Sequence, residues 1–495
     1  MENKLVFDIH DKPRFGQMLV FALQQVLAIL AATIAVPTII GLPSQIPAAI
    51  LGAGIGTLIY QLFTRFKSPV FLGSSFAFLS SLGVAVAYGY CGIILGSVIA
   101  GLVYVVIAIV IRFTGTSWVD KLMPPVIIGP TVALIGLSLA GNAMGDITKA
   151  SSSEMYGSYN LVALLCGLIA FFTIIICSTQ KRRMMPRLIP FIIGIAAGYA
   201  AAAAFTAVGI ILDVDYLKIV DFSPIVNNFA NADGSFKGIT AFFDYPRIAV
   251  FGAAKELASG DIAPEIHSAL QAVTKNPEAQ ATLISLGSAV EVIIAFFPVA
   301  LVVFAEHIAD HKNLSSIIGH DLIKEPGLDR TLLGDGVGSI AGTVFGICPN
   351  TTYGESVGCV AITRNASICT ITATAFMCIV LSFISPVMAL LRTIPACVMG
   401  GVCLTLYGFI AVSGLKMFKD LDLGDNKNLF VVAAILISGI GGLAIRIPYE
   451  IAKDGVITGE IQITSIATAL IIGIITNAVL TKVEKSKLGK EKTED

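Results

Sequence analysis

Pro349-Asn350-Thr351-Thr352-Tyr353-Gly354-Glu355-Ser356-Val357-Gly358 breaks an apolar stretch in the second half of the chain. Ser68-Pro69-Val70-Phe71-Leu72-Gly73-Ser74-Ser75-Phe76-Ala77-Phe78 breaks one in the first half. Small and polar residues at such places interrupt a helix, and non-helical backbone at membrane depth leaves N–H and C=O groups unpaired. That is tolerable only where protein or a water-filled cavity surrounds it. A pair of short, interrupted apolar segments in corresponding halves points to the central site of a secondary transporter. A half-helix that opens at such a break directs free N–H groups toward carbonyls or anions. Packed kinks or re-entrant loops without a ligand are the alternative. The acid Glu355, inside the second break, argues for a site.

The surrounding sequence fits a bilayer. Of the 495 residues, 56% are hydrophobic and 13% charged, with mean hydropathy +0.86, against roughly 25% charged residues in soluble domains. This excludes a soluble enzyme on a single anchor. Apolar runs mark crossings near 18–36, 46–63, 70–86, 92–111, 124–140, 160–178 and 188–212, then 284–309, 332–347, 354–363, 368–391, 394–413, 429–445 and 460–480. With about 20 residues needed per crossing, 70–86 and 354–363 are short. Basic residues set the orientation. With the N-terminus inside, Arg65, Lys67, Arg112, Lys121, Lys181, Arg182, Arg183, Arg187, Lys312, Lys324, Arg330, Arg364, Lys416, Lys419 and Lys427 fall in cytoplasmic loops. Only Lys149, Arg392, Arg446 and Lys453 fall in short outside loops. Both termini are then cytoplasmic. The stretch 213–283, with nine acidic and five basic residues, reads as a solvated extracellular insertion, and 262–281 within it as an amphipathic surface helix.

A net charge of −1 without a long basic run gives no footprint for nucleic acid. The nine cysteines lie mostly in apolar stretches without a C-x-x-C pair and read as small hydrophobes. No phosphate loop and no zinc motif is present, so neither cofactor nor metal is expected. Carboxylates inside apolar spans are functional suspects by default. Glu306 ends the run Val292–Ala305, and Asp310 lies one turn on, with His307 between them. The pair suits proton uptake and release, although Asp310 also reads as a solvated residue at the cytoplasmic end. Glu291 reads as interfacial. Gln24, Gln25 and Tyr407 are polar groups on other spans, able to face the same cleft or to tie helices together. Carboxylates accept from N–H donors, half-helix N–H groups donate to carbonyls, and Phe76 or Tyr353 can stack on a flat ring. A neutral planar lactam satisfies all three, and this points to a nucleobase.

Three runs carry a resemblance: Leu72-Gly73-Ser74-Ser75-Phe76-Ala77-Phe78, Ala305-Glu306-His307, and Pro349 to Glu355 followed by Ala361-Ile362-Thr363-Arg364. They resemble the nucleobase–ascorbate transporters, or nucleobase–cation symporter 2 family, and within it the bacterial uracil permeases. The likeness extends to Pro190–Gly198 and Leu404–Gly408. It implies an all-α polytopic membrane protein of about 14 transmembrane segments in two inverted seven-segment repeats, with short antiparallel strands interrupting segments 3 and 10. It divides the chain into core (1–113 and 284–392) and gate (114–212 and 393–480), with the long loop at 213–283 and a cytoplasmic tail at 481–495. It implies proton-coupled uptake by a multi-pass protein of the cell membrane, often a dimer, with core moving against gate. At the matching positions Glu306 and Glu355 hold the base, backbone near Phe76 and Gly354 reads its carbonyls, and Tyr353 lines the pocket. Gln25, Asp310 and Tyr407, with Glu306, belong to the proton-coupling network.

Three departures stand out. Ser356 occupies the family's Asn position, Asp310 a position commonly His in uracil permeases, and 254–281 is long for the group. Uracil leads, because Glu355 matches uracil carriers where urate–xanthine carriers commonly have Gln. Xanthine, hypoxanthine or guanine remains the alternative cargo. A sulfate- or bicarbonate-type anion carrier on the same scaffold would lack the Glu306–Glu355 pair. An intramembrane enzyme built on Ser74, Ser75 and His307 lacks a nucleophile elbow, so no catalytic residue is assigned.

Overall fold

The computed structural model describes residues 5–149, 159–180, 186, 189–231, 233–451 and 457–494. Lys181, Arg182, Arg183, Arg187 and Lys453, used above for orientation, lie outside the described residues. The first half comprises α1 (Phe15–Ile39), α2 (Ile46–Phe63), β1 (Leu72–Ser74), α3 (Leu79–Val86), α4 (Gly89–Thr114), α5 (Ser117–Leu122), α6 (Pro125–Asp146), α7 (Leu161–Ser178) and α8 (Pro190–Leu212). The long loop holds α9 (Ser223–Phe229), α10 (Ala249–Ser259) and α11 (Pro264–Thr274). Then come α12 (Leu286–Ile318), α13 (Leu328–Phe345), β2 (Asn350–Thr352), α14 (Gly354–Thr363), α15 (Ile368–Leu381), α16 (Ser385–Arg392), α17 (Ala396–Lys416), α18 (Asn426–Ile440), β3 (Ile445–Ile451), β4 (Ile457–Ile463) and α19 (Ser465–Glu494).

Among the described residues, nine helices are long and apolar enough to cross a membrane: α1, α2, α4, α6, α7, α8, α12, α17 and the first part of α19. The ends follow local chemistry. Pro125 and Pro190 open α6 and α8, where a missing N–H costs nothing. Asn160 accepts from Val162 N and Ala163 N to cap α7. Gly319, at φ 75°, closes α12 in the left-handed conformation.

Packing sorts the helices into two sets. α13 lies against α2 and α4, α12 against α4, and α15 against α1 and α2; separately, α17 lies against α6 and α7, α7 against α8, and α18 against α6 and α19. Small residues allow the close crossings. A Cβ on Gly52 of α2 would come 2.2 Å from the Gly342 carbonyl oxygen of α13, and one on Gly136 of α6 would come 2.2 Å from the Tyr407 carbonyl oxygen of α17. Such approach lets backbones pack by van der Waals contact where no hydrophobic drive separates helix from lipid.

Three expectations are corrected. The fold is not purely helical beyond the two interruptions, because β3 and β4 form an antiparallel hairpin from Ile445↔Ile463 to Ile451↔Ile457. Isoleucines at alternate positions at the strand ends (Ile445 and Ile447; Ile461 and Ile463) carry a partial period-2 pattern, broken at Pro448–Glu450 by register shifts, and β4 packs on α12. The amphipathic helix placed at 262–281 is only Pro264–Thr274, and a second loop helix, α10, precedes it. The span placed at 284–309 continues to Ile318, so Asp310 is buried rather than solvated at a helix end.

Candidate transport site

β1 and β2 join the two interruptions as a three-residue antiparallel ladder, Leu72↔Thr352, Gly73↔Thr351 and Ser74↔Asn350. Two further bonds flank it: Ser75 N donates to Pro349 O at 3.0 Å and Tyr353 N to Phe71 O at 3.2 Å. The joint is riveted to its surroundings. Asn350 Nδ2 donates to Gly52 O at 3.0 Å, and Leu72 N to Thr57 Oγ1 at 2.9 Å. Each strand runs directly into a half-helix, β1 through the Phe76–Phe78 turn into α3 and β2 into α14. Unpaired backbone is thereby reduced to the opening turns of two helices that start at opposite ends of the ladder.

At α14 no side chain caps the first turn, where Tyr353 holds extended φ/ψ and the first intrahelical bond is made by Val357 N. The preceding N–H groups of Gly354, Glu355 and Ser356 have no acceptor within the helix. Gly354 is exposed and Glu355 half-buried, so this turn faces an opening. From α12, Glu306 is also half-buried, and its Oε2 has no hydrogen-bond partner among the described residues. Glu306, Asp310 and Glu355 lie within electrostatic reach of one another. The opening of α14 thus brings uncapped backbone donors beside carboxylate acceptors.

The remaining candidates are distributed around it. Asp310 is buried and accepts from Thr352 Oγ1 at 2.7 Å, tying α12 to β2. Gln25 Nε2 on α1 donates to Ser356 Oγ on α14. Phe76 meets Tyr407 edge to face at 5.3 Å and 88°, a contact between the two helix sets. Tyr353 is buried, and its hydroxyl donates to Ser74 O at 3.0 Å, so it braces the joint. Gln25, Asp310 and Tyr407 do not hydrogen-bond one another; each holds a different neighbour.

Sequence reasoning missed a buried polar layer beneath the site. His307 Nδ1 pairs with Asp335 Oδ2 at 2.7 Å, and its Nε2 with Thr331 Oγ1 at 3.0 Å. His311 Nδ1 bonds His307 O at 2.8 Å, and its Nε2 meets Tyr60 Oη at 2.8 Å, which meets Ser68 Oγ at 2.7 Å. A signal existed for Asp335, an acid inside the run 332–347. Glu291, read as interfacial, accepts from Tyr88 Oη. Among the described residues no cluster of His, Cys, Asp or Glu is arranged to hold a metal.

The profile of the Permease family matches residues 16–447. The chain belongs to this family. As a permease it has relatives over nearly its whole length. It is 34% identical to the uracil permease of Bacillus caldolyticus over 483 residues, covering 97% of this chain and 95% of that one. It is 33% identical to the uracil permease of Bacillus subtilis (98% of each chain) and 30% identical to that of Escherichia coli K12 (94% and 92%). All are transporters, and this family member is a membrane transporter rather than an enzyme. The murine Slc26a9 anion transporter shares the fold at TM-score 0.60 and 10% identity (96% of this chain, 69% of that one). The transmembrane domain of the cyanobacterial bicarbonate transporter BicA does so at TM-score 0.52 and 13% identity (94% and 98%).

Proposed function

We propose that this permease imports uracil across the cell membrane by proton symport. The observation that carries the reading is the open first turn of α14, where backbone N–H groups that lack both a helical acceptor and an N-cap side chain stand beside the half-buried carboxylates of Glu355 and Glu306. Uracil is a planar neutral lactam whose two carbonyls need donors and whose two N–H groups need acceptors. Backbone at Gly354 and near Phe76 donates to the carbonyls, Glu306 and Glu355 accept from the ring N–H groups, and Tyr353 fixes the joint that holds them. The names of the relatives support the cargo.

Glu306 and Asp310 carry the coupled proton, with Gln25 and Tyr407 tuning the elements around them. The shorter helices α3, α13, α14, α15 and α18 complete a fourteen-segment, twice-repeated architecture when added to the nine long ones. The two packing sets serve as core and gate, meeting at Phe76–Tyr407, and the core slides against the gate to expose the site alternately. Both termini face the cytoplasm, and a homodimer formed through the gate would leave the core free to move.

Labelled-uracil uptake into proteoliposomes, driven by a proton or a sodium gradient and competed by xanthine, hypoxanthine, guanine and thymine, tests this reading. Proton-driven uracil uptake inhibited only by pyrimidines is the expected result. Purine uptake without uracil uptake would refute uracil and make Ser356, which accepts from Gln25, the residue that altered specificity.

A further inference from the structure

The extracellular insertion carries an exposed apolar strap. Gly238-Ile239-Thr240-Ala241-Phe242-Phe243 contains no charge and is bracketed by Lys237 and Asp244. Ile239 is 78% exposed, Phe243 62%, and the neighbouring Phe236 61% and Tyr245 78%. With Phe242 at 48%, five large apolar or aromatic side chains are exposed in ten residues, and a contiguous patch of that kind marks an interaction surface.

Its height is fixed by the backbone. Asp244 N donates to Phe383 O at 3.1 Å and Ser385 N to Phe242 O at 3.0 Å, with Phe243 bridged opposite Ile384. Asn228 Nδ2 adds a bond to Ala241 O at 2.8 Å. Phe383, Ile384 and Ser385 follow the end of α15 and lead into α16. α15 has 14 residues, which at about 1.5 Å each spans about 21 Å, short of a hydrocarbon core of about 30 Å. Its side chains Phe376 and Val380, and Phe383 just beyond its end, are exposed, and the strap continues that apolar surface where the helix stops.

We propose that residues 236–245 lie in the outer membrane leaflet, at the boundary of headgroups and acyl chains, and anchor the insertion to the bilayer. The partner is the lipid interface itself. An uncharged aromatic run between a cation and an anion suits that layer. The strap then completes the apolar thickness that α15 lacks.

The chain has one tryptophan, so Ile239→Trp and Phe243→Trp in a Trp118→Phe background report depth in phosphatidylcholine vesicles. Asn276→Trp serves as the aqueous control and Phe376→Trp as the lipid control. Strong quenching by lipids brominated near the headgroup, with at least fivefold less iodide quenching than at position 276, is expected. Iodide quenching equal to that at position 276 without bromolipid quenching overturns the proposal. Shielding from both quenchers, with cross-linked dimers, also overturns it and assigns the strap to contact between copies. Should the variants fail to fold, a lipid-soluble carbene label on the unaltered chain decides. Labelling of 236–245 supports the anchor, and an unlabelled strap beside labelled α15 refutes it.

Discussion

Gly73→Ala is the sharpest probe of the strand joint. Gly73 sits in β1 opposite Thr351, and a Cβ built on it would lie 2.3 Å from Cε2 and Cζ of Tyr353 and 2.7 Å from its hydroxyl oxygen. Carbon atoms in contact settle at roughly 3.5 Å, so the ring must retreat by about 1 Å. Tyr353 cannot retreat and keep both its bond to Ser74 O and the N-cap position of α14. Overpacking of a filled interior costs about 1–3 kcal/mol, and the lost hydrogen bond about 1 kcal/mol more. Together this is about 2–4 kcal/mol, roughly 30- to 1,000-fold in the population of the competent site. Melting of the purified protein should fall clearly and uptake should drop within that range. Gly358→Ala is the matched control, because a Cβ there meets nothing within 4 Å. It should be neutral or stabilising by up to about 1 kcal/mol. In a Tyr353→Ala background most of the stability cost of Gly73→Ala should vanish, because the clashing ring is gone. Unchanged melting with uptake within twofold of the parent, or behaviour matching Gly358→Ala, would refute the reasoning.

Other perturbations separate binding, coupling and the docking of the long loop. Glu355→Gln and Glu306→Gln should each lower uracil uptake at least tenfold while the protein stays monodisperse; near-normal uptake at micromolar uracil would count against direct contact. Asp310→Asn should keep uracil binding, measured by calorimetry, and abolish pH-driven accumulation, with Thr352 able to donate to the amide oxygen. Unchanged accumulation would sink the coupling role. Glu256, in the loop, accepts from Tyr90 N at 2.9 Å. Burial raises its carboxyl above the usual range, the bonds from backbone N–H groups oppose the rise, and the charge of Glu265 adds to it. A raised folded value means the docked state binds the extra proton. Docking of α10 is therefore firmer below that value and weakens as pH rises through it. Hydrogen-exchange protection of 249–259, corrected for intrinsic rates, should be higher at acid than at neutral pH, and Glu256→Gln should erase the difference.

The two interruptions were legible because they break a physical rule. Gly, Ser, Pro and Asn clustered inside an apolar run are poor helix formers, so Leu72–Ser74 and Asn350–Thr352 announced themselves. That they compensate each other through pairing was visible only through resemblance, since 276 residues separate Ser74 from Asn350 and no local pattern sets that register. Glu306 and Glu355 were legible as misplaced charges. Asp335 carried the same signal and was missed, as was the partial alternation in Ile445–Ile451. Tyr353 was read as a surface for a flat ring and a pocket-lining residue; that its hydroxyl also braces Ser74 was not read. Orientation of a side chain within a joint depends on the far half of the chain, which residue type alone does not encode. The apolar strap escaped because charge counts over the whole 213–283 loop hid six uncharged residues in its middle.

The scaffold alone does not choose a cargo. Its solved neighbours include a bicarbonate transporter and an anion transporter, and a helix that opens into a cavity carries roughly +0.5 charge at its N-terminus, which by itself favours anions. In this permease that end is not left alone. Glu355 sits in the first turn of α14, and Glu306 and Asp310 approach from α12 within electrostatic reach. With both carboxylates ionised, a half-charge from each half-helix could not balance them as well as an incoming anion, so a negatively charged ligand would meet net repulsion unless protons arrived with it. A neutral ligand with both donors and acceptors meets no such barrier and uses both kinds of group. Under the proposed symport the proton has a place in this geometry, since protonating one acid lowers the repulsion between them. Replacing Glu306 and Glu355 together by Gln should therefore weaken uracil uptake and at the same time raise the affinity of the opening for small anions. If bicarbonate or sulfate binds that double variant no better than the parent, the carboxylates are not what excludes anions.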